Sequence, residues 1–569
     1  MIVTAILTTA ILAVTAFVLG RLVTGALDRP AERWAIPMAC GLALLSHLGP
    51  LLGLAGLLRR GPVLTLVAVV HLAGIPAWRG ITCRVPWRGA AALLPGALLA
   101  LYPPTAFDAT LYHLPFARAF VTSGGAPFLP DLRFPVFPQA NEMLFALVML
   151  FAPDLAAHGV QWLMTALTAS LVWVWGRDAF GAAAGRLAAA VYLGAPIVAY
   201  LAGSGYVDAG LTLFATAALY AVRRWRGTGE RRWLLLAALF AATAADVKYL
   251  GLFFLGVVGL TILLGHLPER GSRERWRAVL LFGAVALAAL VPWYGRIYAW
   301  TGNPVFPYFF GGGPWAPINF HGFGGSSLGE RLVRLARLPW DTVFERGRYG
   351  FQPPYSPVFL VSLPLALLAA ARDAQQRRLL ALSAIYAFLC LSLPPDSRYL
   401  VPVTPLLAVS AAGIAARFTD RRLLIAGLCA ACLLPGALYA LYRLHLQGPP
   451  PFTPATREAW LSRRLPLYPA VAFLNRGSSV TWALHAENMH YYARDRFLGD
   501  WYGPASFARV LNGLANPEDL HGRLRRLGAD HLLIAAGQAP GLPFPEDAAF
   551  RRWFEPVYAD SAARVYRLR

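Results

Sequence analysis

Four groups of ionisable and aromatic residues stand at the edges of long apolar runs, where charge is costly to place and is a candidate for function. The first is Phe107-Asp108-Ala109-Thr110-Leu111-Tyr112-His113-Leu114-Pro115. Helical spacing puts Asp108 and Tyr112 on one face, where an aspartate is suited to act as general base toward a hydroxyl. The plain alternative is a helix N-cap at Asp108. The second is Tyr206-Val207-Asp208, a carboxylate meeting a positive helix end, again with capping as the alternative. The third is Asp246-Val247-Lys248-Tyr249, and Lys248 is the one lysine among 51 basic residues. A compact ammonium suits a phosphate oxygen; the alternative is an ion pair with Asp246. The fourth is spread out: Arg296 after Pro292-Trp293-Tyr294, and Arg398-Tyr399. Each arginine either snorkels to lipid phosphates or joins Lys248 in a cationic clamp for a lipid-linked phosphate, whose charge must be stabilised as it leaves.

The elements that position these residues follow from composition. Of 569 residues, 57% are hydrophobic and 14% charged, against roughly 25% charged in a soluble domain. The apolar residues gather into runs near the span of a bilayer, which predicts an α-helical polytopic membrane protein with about fourteen transmembrane helices between residues 2 and 442. The first run lacks a basic leader and a cleavage site and reads as a retained helix. The formal charge of +22 would suit nucleic acid if one surface carried it, but the arginines lie between apolar runs, so no nucleic-acid partner is expected. Alternate loops hold 23 of them, while the short loops opposite hold Arg59, Arg60, Lys248 and Arg398. The positive-inside rule therefore makes the arginine-rich loops cytoplasmic and puts both termini outside.

Residues 141–151 are too few to span and read as a juxtamembrane helix along the outer interface. The outside then holds residues 107–157, residues 298–354 and a tail from 443. After Pro449-Pro450-Pro451 the tail reads as a small α/β domain, with helices near 468–475 and 520–527 and strands near 479–484 and 531–535. Gly311-Gly312-Gly313 with Gly322, Gly324 and Gly325 suggest a mobile flap. The stretch Leu328–Phe344, with Arg331, Arg334 and Arg337 at helical spacing, reads as an amphipathic interfacial helix. Cys429 and Cys432 imitate a CxxC motif but sit in an apolar run, where packing is the simpler role. No GxxxxGK[ST], HExxH or zinc-type cysteine pattern appears. Chemistry driven by ATP within this chain is not expected, and a high-energy lipid donor would replace it.

From about residue 89 onward the chain resembles the GT-C superfamily of integral membrane glycosyltransferases. It is most similar to the branch of dolichyl-phosphate-mannose protein mannosyltransferases and bacterial lipid A aminoarabinose transferases. The likeness rests on Asp108 with Tyr112-His113-Leu114-Pro115, Phe134-Pro135-Val136-Phe137-Pro138, Asp208, Lys248, Thr301-Gly302-Asn303-Pro304-Val305-Phe306-Pro307, and Arg398-Tyr399-Leu400 with Pro402 and Pro405. In the tail it rests on Tyr491-Tyr492, Asp500-Trp501-Tyr502 and Leu527-Gly528-Ala529-Asp530-His531-Leu532-Leu533. The resemblance implies a GT-C-like catalytic membrane domain over 89–442 and an extracytoplasmic α/β domain over 443–569, while the additional N-terminal transmembrane helices over 1–88 fall outside the family's usual pattern.

The activity implied is inverting transfer of a hexosyl or pentosyl group from a polyprenyl-phosphate donor to a lipid, glycan or protein acceptor, outside the plasma (bacterial inner) membrane. Asp108 would be the catalytic base. Tyr112, His113, Asp208, Lys248, Arg296, Arg398 and Tyr399 would bind substrate, with Lys248, Arg296 and Arg398 on the phosphate. The family's first loop often carries an acidic pair, whereas Ala109 follows Asp108 here, which weakens the case for a divalent metal; Glu142, Asp208 and His113 are candidates for a second group. No cofactor is expected with confidence. The competing classes are a transporter or flippase of lipid-linked saccharides, which would carry charges deep in mid-helix, and a polysaccharide polymerase or ligase using the same donors.

Overall fold

The computed structural model describes residues 1–569 apart from 28, 30, 31, 79–86, 265–271, 312–326 and 540. The chain divides into two compact units. A helical unit comprises Met1–Tyr102, Pro138–Trp293 and His321–Pro450; a second comprises Pro103–Phe137, Tyr294–Phe320 and Pro451–Arg569.

In the helical unit the most enclosed elements are the helices Leu155–Phe180, Asp208–Thr228, Arg231–Val247 and Thr404–Phe418. They are rich in alanine and apolar around most of their circumference, as helices buried on all sides must be. Phe214, Tyr220, Trp225, Trp233 and Phe240 fill the spaces between them. The N-terminal pair Ile2–Thr24 and Glu32–Leu54 packs closely through glycine: a Cβ on Gly41 would come 1.7 Å from the Ala16 carbonyl oxygen, and one on Gly20 would come 1.7 Å from that of Pro37. Small residues at such crossings let backbones approach where no hydrophobic force draws helices together.

Among the described residues, six helices are long and apolar enough to cross a membrane, or seven if the pair Ala182–Leu193 and Pro196–Ala202, bent by 70°, counts as one. The fourteen crossings expected from sequence would also need shorter apolar helices such as Arg60–Ala73, Gly251–Leu264 and Pro357–Ala370. The run expected to span 89–106 is not one helix. It forms Trp87–Ala91 and Leu94–Leu99, and Pro103-Pro104 follows shortly; two successive prolines leave two backbone positions without the N–H that a helix interior uses.

Residues 141–151 do form a helix too short to span, Ala140–Met149. Residues 140–148 are all buried, packed against Glu32–Leu54 and Leu155–Phe180. The amphipathic helix appears as Leu328–Phe344, opened by a capping box between Ser327 and Glu330. Leu328, Leu332, Val333 and Trp340 are exposed, while Arg331 Nη1 donates to Ser392 Oγ at 2.8 Å. The glycine-rich flap, beyond Gly311, lies outside the described residues.

The second unit is built on a five-stranded sheet: β1 Thr481–Leu484, β2 Phe497–Leu498, β3 His531–Ala535, β4 Phe554–Ala559 and β5 Ala563–Leu568, in the order β2-β1-β3-β5-β4. The first three strands pair in parallel and the last two add antiparallel. Trp482, Leu498, Leu532, Phe550 and Phe554 fill its core. Pro556 sits where it costs no ladder bond of a central strand, on edge strand β4 next to a bulge. Residues 103–137 fold together with this tail. Arg118 Nη1 donates to the carbonyls of Tyr491 and Ala493 at 2.6 and 2.8 Å, Nη2 to that of His490 at 3.1 Å, and Tyr491 N donates to Thr110 O at 2.9 Å.

The glycine contact sets a test of the helical unit. Gly41→Val should lower the apparent melting temperature of the detergent-purified protein, by the equivalent of about 1–3 kcal/mol for an overpacked contact. Gly427→Val, whose added Cβ meets nothing within 4 Å, should leave it nearly unchanged. Equal melting curves for both variants would show that the close crossing carries no stability.

Candidate functional site

Four of the residues singled out in the sequence come together in the helical unit. Asp208 is the first residue of the helix Asp208–Thr228 and is fully buried. Its side chain does not cap: the residue before the helix is Val207, with no side-chain capping bond. Lys248 Nζ donates to Asp208 Oδ1 at 3.2 Å, and Arg398 Nη1 lies 3.9 Å from Asp208 Oδ2. Arg398 is held in turn by Asp396, with Nε and Nη2 at 2.9 and 2.7 Å from Oδ2. Two rings complete the group. The guanidinium of Arg398 lies 4.1 Å from the centre of the Tyr206 ring, and Lys248 Nζ lies 5.0 Å from that of Tyr399, each within cation–π range.

Local chain geometry explains how Lys248 reaches this position. The helix Arg231–Val247 ends one residue before it, and Lys248 is extended. Gly251 N donates to Lys248 O at 2.8 Å, closing a tight turn into the next helix. A Cβ on Gly251 would meet the Ala244 carbonyl oxygen at 2.0 Å, so only glycine fits. The pairing of Lys248 with Asp246 considered from sequence does not occur. Asp246 is buried elsewhere in the same unit, 3.8 Å from His47 Nε2. Residues two apart at a helix end do not face each other.

Asp108, Tyr112, His113 and Arg296 belong to the second unit. Asp108 is half-buried with helical backbone angles, and its side chain makes no capping bond, so the capping alternative fails here too. Ala109–His113 is a π-helical turn running into the helix Leu114–Ser123; such turns are often found at functional sites. Tyr112 and His113 are buried, and Tyr112 packs against Phe134 and Phe137 at ring distances of 5.3 and 6.5 Å. Arg296 follows a second π-turn, Val291–Gly295. Its guanidinium lies 6.0 Å from the Phe120 ring and donates to Pro127 O at 3.1 Å. Asn303 Nδ2 donates to the carbonyls of Tyr308 and Gly311 at 2.9 and 2.6 Å, shaping the loop that follows. Glu142, weighed as a second acidic group, is buried in the helix Ala140–Met149 of the helical unit.

Sequence reasoning missed two partners. Asp396 gave no signal beyond standing two residues before Arg398. Arg133 lies under Phe107, the neighbour of Asp108, at 5.8 Å and under Tyr502 at 5.7 Å. It donates to Asp500 Oδ1 at 2.9 Å, with Glu487 Oε1 at 3.5 Å. Burial pushes the Asp500 carboxyl up from 3.8 to about 6, against the lowering pull of Arg133. No group of three or more His, Cys, Asp or Glu side chains able to hold a metal occurs among the described residues.

Residues 135–295 match the family described as dolichyl-phosphate-mannose-protein mannosyltransferase. Residues 456–567 match a second family, described as SF2091/S2213. No curated protein matches the chain. Among solved structures the chain is similar to ArnT from Cupriavidus metallidurans bound to undecaprenyl phosphate, with TM-score 0.52 and 15% identity over 84% of this chain and 96% of that one. For the same protein in the apo state the TM-score is 0.52 and the identity 16%, over 84% and 97%. The archaeal oligosaccharyltransferase AglB from Archaeoglobus fulgidus gives TM-score 0.48 and 11% identity over 79% and 69%. The fold is similar to that of ArnT, and residues 135–295 carry the likeness to the mannosyltransferase family.

Two tests follow from the geometry. Lys248→Met leaves Asp208 buried with one cation fewer and should cost about 3 kcal/mol, whereas Lys248→Met with Asp208→Asn should recover most of that loss. A double variant as unstable as the sum of the singles would show that the pair does not interact. Asp500 has a folded-state pKa above its unfolded value. Its contribution is therefore full below about pH 3.8 and lost as pH rises through about 6. Relative to wild type, Asp500→Asn should gain roughly 2 kcal/mol of stability between pH 4 and pH 7; a difference independent of pH would refute the buried-proton account.

Proposed function

We propose that this chain is a membrane glycosyltransferase that moves a hexosyl or pentosyl group from a polyprenyl-phosphate donor to a lipid, glycan or protein acceptor. The reading is carried by the buried Asp208–Lys248–Arg398 group in a chain with the ArnT fold, since buried cations at a helix end suit a lipid-linked phosphate. The solved structure of ArnT bound to undecaprenyl phosphate supports a lipid of that kind as the carrier.

In this reading Asp108 takes the proton from an acceptor hydroxyl as its oxygen forms a bond to the anomeric carbon of the donor. The bond from that carbon to the phosphate oxygen breaks, its electron pair stays on the polyprenyl phosphate, and the anomeric centre inverts. Lys248, Arg398 and Arg296 act on the phosphate; Tyr112, His113, Asp208 and Tyr399 shape the substrate sites. We place the protein in the bacterial inner membrane with about fourteen crossings, the shorter apolar helices included. The first outer loop and the tail then face outward, as the arginine-rich alternate loops indicate.

The test is transfer by purified, reconstituted protein supplied with radiolabelled polyprenyl-phosphate sugars. Asp108→Asn should lower turnover by about 10²–10⁴-fold, the usual share of a general base, with donor binding nearly intact; Lys248→Ala should weaken donor binding. Unchanged turnover in Asp108→Asn would remove Asp108 from the chemistry. Movement of lipid-linked saccharide across liposomes without any turnover would favour a transporter instead.

A further inference from the structure

The helical unit holds a second basic and aromatic recess that the proposed reaction does not use. It encloses about 250 Å3 and is lined by Tyr200, Arg346, Phe351, Gln352, Pro353, Tyr439, Tyr442, Arg443 and Leu446. Among the described residues two arginines and no carboxylate line it, so these side chains carry a net charge of two cations. Arg443 is braced for this role: its guanidinium lies 5.5 Å from the centre of the Tyr200 ring, and Nη1 donates to Tyr439 Oη at 3.2 Å. Arg346 Nη2 donates to Phe351 O at 3.1 Å. Phe351 itself is exposed at φ 54°, a strained backbone conformation for a side-chain-bearing residue of the kind that tends to persist at ligand clamps.

The surroundings say what kind of anion fits. The recess sits at the C-terminal end of the helix Arg422–Gln447, a candidate span with mean hydropathy 2.1 of which only 22% is buried. Leu434, Leu438, Leu441 and Tyr442 are exposed along this helix, at spacings of three and four that place them on one stripe leading to Leu446. A charged head in the recess would thus have an apolar track for its tail. Basic pockets between membrane helices recognise phosphorylated lipid headgroups in this way. We infer that the Arg346–Arg443 recess binds the phosphate-bearing headgroup of a lipid, with its chain lying along the leucine stripe. The site is separate from the Asp208–Lys248–Arg398 group, although Gln352 Nε2 donates at 3.4 Å to Asp396 Oδ2, the oxygen that also holds Arg398.

The test uses delipidated full-length protein in detergent and native mass spectrometry, titrating phosphatidic acid, phosphatidylcholine and inorganic phosphate. Phosphatidic acid should bind more tightly than phosphatidylcholine. R346Q/R443Q should weaken it by about tenfold or more, and Leu438→Glu/Leu441→Glu should weaken it as well. If loss of the Tyr200 and Tyr439 contacts unfolds the double arginine variant, Arg346→Gln alone carries the comparison, because Arg346 is exposed. The variant Lys248→Met/Asp208→Asn should retain the lipid, which also separates this site from the proposed donor site. Equal affinity in wild type and R346Q/R443Q overturns the inference, as does loss of binding only in Lys248→Met/Asp208→Asn. Displacement by inorganic phosphate with no effect of Leu438→Glu/Leu441→Glu assigns the recess to a free phosphate and overturns the lipid.

Discussion

A carboxylate with no access to water, at Asp208, is the constraint around which the helical unit is arranged. Alone, such a charge would cost several kcal/mol to bury. Here Lys248 and Arg398 offset it, and Asp396 in turn holds Arg398. The four groups come from three separate segments: the start of the helix Asp208–Thr228, the glycine turn after Arg231–Val247, and the 3-10 stretch Ser397–Val403 with Asp396 capping its start. Each segment must therefore hold its position for the charges to stay paired. The same helix is fixed at its other end as well. Arg224 Nε lies 2.8 Å from Glu32 Oε1, to which Tyr220 Oη donates at 2.6 Å. An apolar middle with a buried ion pair at each end leaves that helix little freedom to slide or rotate.

Much of this group was legible because charge is scarce in an apolar sequence. Asp208, Lys248 and Arg398 stand out as isolated ionisable residues at the ends of apolar runs, and the uniqueness of Lys248 marks it further. What could not be read was who pairs with whom. Lys248 reaches across 40 positions to Asp208 rather than two to Asp246, because the helix ends between Asp246 and Lys248 and the chain turns at Gly251. Asp396 was invisible for another reason: in Pro394-Pro395-Asp396-Ser397 an aspartate reads as a turn residue, and its hold on Arg398 depends on the fold.

The second unit divides in the same way. Strands β1 and β3 are short apolar runs bounded by turns and are readable. Strands β4 and β5 are interrupted by Glu555, Pro556, Arg564 and Arg567, whose polarity reflects an edge hairpin with one wet face. The union of residues 103–137 with the tail rests on Arg118, whose backbone partners lie some 373 positions away. No local pattern predicts a contact of that range. The tail's Tyr491-Tyr492, noticed only as part of a resemblance, proves to be where that contact is made.

Charge balance gives the buried group a chemical consequence on the proposed reading. Two cations facing two carboxylates sum to zero, so an arriving phosphate meets cations already compensated. A sugar-linked polyprenyl phosphate is a diester with one negative charge, and it competes only moderately with Asp208 for Lys248. As the bond to the sugar breaks, the departing phosphate gains charge, and its attraction for Lys248 and Arg398 grows while that of the fixed carboxylates stays constant. The cations then contribute more to the transition state than to the bound donor, which is the condition for an interaction to raise the rate rather than merely tighten binding. A bare cationic pocket would hold donor and product alike and would slow the release of the spent lipid. In this account Asp208 is not an obstacle to phosphate recognition but the element that makes it selective for the developing charge.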